Sequence, residues 1–499
     1  MSEDITDAHA AAIDRATDGV TFDRWIDGGA SPAASGETFS PRDPAVDEPI
    51  APVARGGADD VDEAVEAARS AFGGWRGHSA EERGSLIREW VGVLRDHQDE
   101  LALLSSLEVG KPIEHARADI DSGLDFFEYY ASVAVGQEGE QIPLGEDSHA
   151  YVRQEPYGVA GQVLPWNYPV LLMGWKVGAA LATGNTVVCK PAEQAPLSVT
   201  RTAQLSAGIL PDGVLNVVPG YGEEAGAPLT SHAGVDKLSF TGSVPVGQAV
   251  MEAAADQVTP VTLELGGKNP FVVFPDADLE DAAATAAVGG LYNVGQSCDS
   301  ATRLVVHESV KEEFVDLLTE QTAGWTPADP LDEDTPMGPL CFGDQYEKVQ
   351  RYVDIAREEG AELVTGGGPP ADAPESGFFY EPTLFDGVTT DMRVAQEEVF
   401  GPVQFLMTFS DYEEAIELAN DVKYGLTAGV MTGSASTAHR AAADIQAGSI
   451  WVNQYFGTVP GTPFGGFKQS GIGRECGKET LDEYTQSKAV HLSLDEPEY

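Results

Sequence analysis

Four side chains in this sequence stand where chemistry, rather than packing, would need them. Cys298 follows the turn Gly295-Gln296-Ser297 at the end of an Ala-rich apolar segment, and the strand-like run Thr302-Arg303-Leu304-Val305-Val306 begins just beyond it. A thiol at such a junction is held at the mouth of a cleft, able to attack an electrophile. The competing reading is a small buried hydrophobe, the usual fate of a free cysteine. Glu264 closes another apolar run and is followed closely by Gly266 and Gly267. It reads either as a strand-end charge reaching solvent or as a general base, with glycines that let it move or let a cofactor approach. Asn167 either caps a helix starting at Pro169 or offers its amide N–H to a developing oxyanion. Lys190, between a β-branched run and Pro191, is either a surface lysine or a group at the ligand edge of a sheet.

Positioning these groups takes a parallel sheet, and the order of segments predicts one. From Gly158 onward, short β-rich runs at 161–164, 186–190, 214–218, 237–240 and 261–264 alternate with helical stretches, two of which reach about Ala182 and Ile209. Such alternation indicates a sheet covered on both faces, with ligands bound beyond its strand ends. Each end here is polar or Gly-rich: Pro165-Trp166-Asn167, Lys190-Pro191-Ala192-Glu193, Gly220-Tyr221-Gly222, Phe240-Thr241-Gly242-Ser243 and Glu264-Leu265-Gly266-Gly267. The pattern Gly220-x-Gly222-x-x-x-Gly226 misses the GxGxxG spacing, so an ordinary βα turn accounts for it as well as a dinucleotide site does. Gly242-Ser243 opens a helix with Pro245 in its first turn, whose free N–H groups face either a phosphate or water. A second alternating series runs from Asn269 to Asn453, making two α/β domains joined near Gly266-Gly267.

Upstream, residues to about 55 are rich in Gly, Pro, Ser and Ala and are expected to wrap the surface. Ser79-Ala80-Glu81-Glu82 fits a capping box, a helix stops near Gly110 ahead of Lys111-Pro112, and an amphipathic run covers Ile113 to about Val135. Residues 137–157 read as a projecting hairpin, with the extended tail from Lys488 to Ser493 as its partner. The 81 acidic residues outnumber the 29 basic ones for a formal net charge of -52, spread along all 499 residues. Self-repulsion on that scale indicates the solvated acidic surface of a salt-adapted protein and argues against nucleic acid or a membrane surface as partner. A folding midpoint that fails to rise between low and molar KCl would count against it. The cysteines at 189, 298, 341 and 476 form no CxxC pair, the histidines show no ligand spacing, and no metal site is expected. No apolar run reaches the roughly 18 residues of a membrane span, and the acidic N-terminus has no apolar leader core; a reduced, cytoplasmic protein is the expectation.

Seven segments then fall into a familiar order. Pro165-Trp166-Asn167-Tyr168-Pro169, Lys190-Pro191-Ala192-Glu193, Phe240-Thr241-Gly242-Ser243, Glu264-Leu265-Gly266-Gly267-Lys268, Gly295-Gln296-Ser297-Cys298, Glu398-Val399-Phe400-Gly401-Pro402 and Pro463-Phe464-Gly465-Gly466 follow one another as in the NAD(P)-dependent aldehyde dehydrogenase superfamily. The chain resembles that family from about residue 20 to 490. The resemblance implies two doubly wound α/β domains: a Rossmann-like cofactor domain (1–136 and 158–265) and a catalytic domain (266–465). A small β bridging element (137–157 and 466–499) would link subunits into a homodimer or homotetramer. It further implies that Cys298 is the nucleophile, that Asn167 and the Cys298 backbone N–H hold the oxyanion, and that Glu264 activates the water that cleaves a thioester. Lys190 and Glu193 correspond to the adenosine-ribose positions, Trp166, Gly222, Gly242 and Ser243 to the cofactor cleft, and Glu398 and Phe400 to the nicotinamide end. An intact Glu264 argues against the CoA-acylating branch.

The expected cofactor is NAD, with NADP as the alternative. Glu193 can accept hydrogen bonds from both ribose hydroxyls, whereas a 2′-phosphate would meet like charge, an effect that high salt screens. The expected substrate is a small aldehyde. Tyr168, Trp175, Tyr292 and Phe464 fall where the family lines its tunnel. They suit either a generic apolar passage or the aromatic cage of betaine- and aminoaldehyde dehydrogenases, where a quaternary ammonium meets π faces. Oxidation of an aldehyde to its acid is thus the leading expectation, and a dedicated betaine-aldehyde or aminoaldehyde dehydrogenase the runner-up. A catalytically silent structural or binding protein on the same scaffold is the alternative of another class.

Overall fold

The β-rich runs that alternate with helices assemble into one sheet. Its five central strands lie in the spatial order Leu215–Val217, Thr186–Lys190, Val159–Val163, Lys237–Gly242 and Val261–Leu265, all parallel and almost entirely buried, as strands covered on both faces must be. The winding reverses between Val159–Val163 and Lys237–Gly242, and a crevice opens beyond the carboxyl ends of strands at such a reversal. Antiparallel edge strands complete the eight: Arg24–Ile26 and Gly29–Ser31 on one side, Gly471–Ile472 on the other. After Leu265 the chain crosses to a seven-stranded sheet ordered Glu362–Thr365, Thr383–Asp386, Val403–Phe409, Ala301–His307, Asn269–Val273, Thr427–Met431 and Ser449–Val452. Only its first pair is antiparallel. A third sheet pairs Ser148–Pro156 with Glu140–Pro143 and with Thr485–Ser493, placing Lys488 opposite Arg153. The hairpin and the tail therefore meet as expected.

This computed structural model describes residues 2–371 and 376–494; Met1, the segment 372–375 and residues 495–499 at the end of the expected bridging tail lie outside the described residues. Local signals act as anticipated in several places. Ser79 and Glu82 form a reciprocal capping box, Gly110 adopts a left-handed φ of 81° to end Gln98–Val109, and the next helix is Ile113–Val133. Two expectations need correcting. The first 55 residues do more than wrap the surface, because Ser2–Thr17 is a helix that buries Ile5, Ala12 and Ala16. Its His9 is fully buried between Asp43 at 2.5 Å and Asp329 at 2.9 Å. The helix's buried positions among the described residues are Ile5, His9, Ala12 and Ala16, and a histidine with two alanines hid the apolar period. The helix expected to reach Ile209 is Leu197–Gln204, and turns carry the chain onward. No helix among the described residues is long and apolar enough to cross a membrane.

Candidate active site

Of the four cysteines, Cys298 alone is half-buried; Cys189, Cys341 and Cys476 are buried. Its placement follows from how the helix Leu279–Leu291 gives way. The chain passes through Asn293 (φ 51°), Val294 (φ 58°) and Gly295 (φ 67°), a left-handed run that is unfavourable for asparagine and more so for β-branched valine. Strain of this kind, of order 1–3 kcal/mol per residue, persists only where the surroundings impose it. Here they do. Val294 is buried, and a Cβ on Gly295 would strike the Gly401 carbonyl. Asn269, at the start of the neighbouring strand, donates from Nδ2 to the carbonyls of Cys298 and Ser300, both at 2.9 Å.

Asn167 arrives from the other sheet, just past the end of Val159–Val163. Tyr168, not Asn167, is the N-cap of the helix Pro169–Thr183, and no side chain caps it, so the capping reading is overturned. Asn167 Nδ2 instead donates to the Gln296 carbonyl at 2.9 Å, which ties the amide to the loop that carries Cys298 and leaves its second N–H for the cleft. The Asn167 main-chain carbonyl accepts from Lys111 Nζ at 3.0 Å and Asn293 Nδ2 at 3.1 Å. Lys111 is itself fully buried, paired with Asp119 and seated 3.8 Å from the Tyr168 ring centroid.

Glu264 is buried at the end of Val261–Leu265, and its Oε2 has no hydrogen-bond partner. Burial first, and then the charge of Glu475, pushes its carboxyl well above the usual range. Glu475 is in turn held by Lys176 at 2.5 Å, which also donates to Ser239 at 3.0 Å. A Cβ on Gly465 would stand 2.9 Å from Glu264 Oε1, so glycine there keeps room for the carboxylate. The Cys298 thiol is likewise pushed well above the usual thiol range, by burial and then by the carboxylates of Asp299, Glu264 and Glu398. Burial and neighbouring carboxylates therefore disfavour the ionised form of both groups.

Cys298, Asn167 and Glu264 line a single cavity of about 320 Å³, together with Trp166, Lys190, Glu193, Gly222, Gly242, Glu398 and Phe400. Ser243 is the exception among the expected cofactor residues. It is the exposed N-cap of Val244–Gln257, off the wall that its neighbours Gly242 and Val246 form. At one end of the cavity Lys190 Nζ donates to Glu193 at 3.0 Å. At the other, Glu398 accepts from the Gly267 N–H at 3.0 Å, and any Cβ on Gly266 would collide with that carboxylate. Phe400, with φ 64°, meets the Trp166 ring edge-on at 5.4 Å. A dinucleotide suits this slot: it offers hydrogen-bonding charge at both ends, an aromatic pair at one, and glycines where larger side chains would intrude.

The four aromatics expected on the substrate side divide into two pairs. Tyr168 and Tyr292 are half-buried; the Tyr168 hydroxyl hydrogen-bonds Ser297, and the Tyr292 hydroxyl donates to Asp119 at 3.3 Å. Trp175 and Phe464 pack together at 5.2 Å, with Phe464 almost wholly buried behind it. Sequence reasoning missed Tyr455 and Phe456, which meet edge-to-face at 5.1 Å with Phe456 at 5.7 Å from Tyr292. It also missed the supports Lys111, Asp119, Asn269, Lys176 and Glu475. Lys111 is marked in the sequence only as part of a helix stop, and no local pattern marks the others.

Known proteins share this arrangement. Residues 31–490 match the model of the aldehyde dehydrogenase family. The structure is similar to an aldehyde dehydrogenase from Bacillus cereus solved as an NAD+ complex, with TM-score 0.93, 42% identity and coverage of 95% of this chain and 97% of that one. It is also similar to a betaine aldehyde dehydrogenase from Staphylococcus aureus in complex with NAD+, with TM-score 0.95, 37% identity and 98% of each chain covered. A mitochondrial benzaldehyde dehydrogenase from Antirrhinum majus is 43% identical over 96% of this chain and 90% of its own length.

Proposed function

The chain belongs to the aldehyde dehydrogenase family and is an NAD-dependent enzyme that oxidises an aldehyde to its carboxylic acid; from that premise we propose that Cys298, Asn167 and Glu264 divide the reaction among them. Once deprotonated, the Cys298 sulfur adds to the aldehyde carbon, and the carbonyl π electrons move onto oxygen. The free Asn167 N–H and the Cys298 backbone N–H hold that oxyanion; one such donor typically contributes about 3–4 kcal/mol to the barrier. NAD, when bound, supplies the acceptor for the hydride that leaves the carbon. A thioester remains on Cys298. Glu264, as carboxylate, takes a proton from water whose oxygen attacks the thioester carbon, the acid departs, and the sulfur regains a proton. The burial that raises the Glu264 pKa makes its carboxylate a stronger base once ionised.

One observation carries this assignment: a half-buried cysteine, an amide anchored to that cysteine's own loop and a carboxylate oxygen without a partner converge on one cavity. Glu264→Gln tests it. On mixing with aldehyde and NAD, this variant is expected to release a burst of about one NADH per site and then to turn over about 10²–10⁴-fold more slowly. Full steady turnover would overturn the role of Glu264.

Around this centre, Lys190 and Glu193 hold the adenosine ribose, and the Glu193 carboxylate favours NAD over NADP. Trp166, Gly222 and Gly242 flank the cofactor, with Ser243 opening the helix beyond them, Glu398 and Phe400 hold its nicotinamide end, and Tyr168, Trp175, Tyr292 and Phe464 form the aldehyde side. Residues 1–136 and 158–265 serve as cofactor domain and 266–465 as catalytic domain. The element 137–157 with 466–499 joins subunits into a homodimer or homotetramer, a reading supported by the exposed strand Glu140–Pro143 at its edge. The net charge of -52 supports a salt-adapted, cytoplasmic enzyme.

A further inference from the structure

Two carboxylates stand near Cys298 outside the cofactor cavity, and they differ. Asp119 is neutralised by its ion pair with Lys111 and accepts from Tyr292. Asp299, the residue directly after the nucleophile, forms no ion pair among the described residues: no Lys, Arg or His nitrogen lies within 4.0 Å of its carboxylate. Its backbone is fixed, since its carbonyl accepts from the Tyr455 hydroxyl at 2.8 Å. Its carboxylate acts on groups from four segments: the phenols of Tyr168 and Tyr455 and the thiols of Cys298 and Cys476. Asp299 is half-buried in a loop tied to both phenols, since the Tyr168 hydroxyl bonds Ser297 and the Tyr455 hydroxyl bonds the Asp299 carbonyl, and burial pushes its carboxyl up to about 7. An aldehyde with an apolar tail would seal this carboxylate away from water unpaired, whereas one bearing a cation would supply the missing counter-charge and meet the faces of the rings.

We propose that Asp299 is a specificity-determining residue: with Tyr168 and Tyr455 it forms a subsite for aldehydes that carry an ammonium or quaternary ammonium group a few bonds from the carbonyl. The inference rests on Cys298 as the nucleophile and deepens that reading. The same contact assists the chemistry. Asp299 opposes ionisation of the neighbouring thiol, and a cation that neutralises Asp299 removes part of that opposition.

The test separates charge from shape. Betaine aldehyde and tert-butylacetaldehyde have the same outline, with a quaternary nitrogen in one and a quaternary carbon in the other. For the unmodified enzyme, kcat/KM read as NADH formation is expected to favour betaine aldehyde by at least about 10-fold, the scale of one partly desolvated charge contact. In Asp299→Asn the preference collapses toward parity. The cationic substrate loses its counter-charge, while the neutral isostere gains because the thiol loses a repelling neighbour. NADH formation from the isostere also reports that the variant is folded. Parity in the unmodified enzyme, or a preference that survives Asp299→Asn, overturns the subsite while leaving the thioester mechanism intact. No NADH from either aldehyde in the unmodified enzyme would bring down the parent reading and this one with it.

Discussion

The two walls that meet at Cys298 are built on different principles. The cofactor wall consists of strand ends: Asn167, Lys190, Gly242 and Glu264 lie at or just past the ends of four adjacent parallel strands. A hydrogen-bonded ladder sets their spacing at roughly 4.8 Å per strand, which leaves little latitude. The side proposed to meet the aldehyde is assembled from a helix N-cap (Tyr168), a helix interior (Trp175), a short turn (Tyr292) and loops (Asp299, Tyr455, Phe456). Its shape rests on side-chain packing. On the proposed assignment the reaction is held by backbone, while the choice of aldehyde is held by residues that can change without disturbing a sheet. The shared fold of this chain with proteins named for betaine aldehyde and benzaldehyde fits that division.

Breaking the point common to both walls should have the largest effect. Cys298→Ala is expected to lower NADH formation by at least about 10⁴-fold with NAD binding retained by titration; unchanged NADH production would remove the mechanism. On the cofactor wall, Asn167→Ala should reduce kcat by about 10²–10³-fold with little change in KM, and an effect on KM alone would make the amide a binding group only. Where the walls lean on each other, Lys111→Met leaves Asp119 buried without its cation and should destabilise the fold by about 3–5 kcal/mol in denaturant titrations. Adding Asp119→Asn should restore much of that loss; no recovery would refute the ion-pair explanation. Glu193→Gln should raise the ratio of kcat/KM for NADP over NAD by about 10-fold, the scale of one relieved like-charge contact.

His9 is a control outside both walls. Burial lowers its pKa, but hydrogen bonds and charge from Asp329 and Asp43 outweigh that and raise it from 6.5 to about 9. A pKa raised on folding contributes stability that is fully present below pH 6.5 and lost as pH climbs through about 9. His9→Gln should therefore lower Tm by about 2–4 °C at pH 6, with a smaller deficit at pH 10. An equal deficit at both would show that the ion pairs carry none of it.

How much of this could be read beforehand differs between the walls. The strand ends were legible because each combines a β-rich run with a polar or glycine-rich stop, and that pattern is local. Phe456 and Asp299 were not, because loop residues acquire a facing surface only when the chain closes. Asn167 shows the limit within a single residue: its type fits both a cap and an oxyanion donor, and only the folded chain, with Tyr168 at the N-cap and the Asn167 amide on Gln296, rejects the cap. Ser243 shows the converse, a helix start whose position was correct but whose side chain stays off the wall.

By itself the sequence determined the alternation that makes the sheets, the turn that presents Cys298 and the residue types available to react, since periodicity, turn chemistry and functional groups are local properties. Tertiary structure alone decided which charges are answered. Lys176 reaches Glu475 across 299 positions and Asn167 reaches Gln296 across 129, while Asp299 has no ion-pair partner among the described residues. Whether a buried charge finds a partner depends on distances between segments, and no local pattern encodes those.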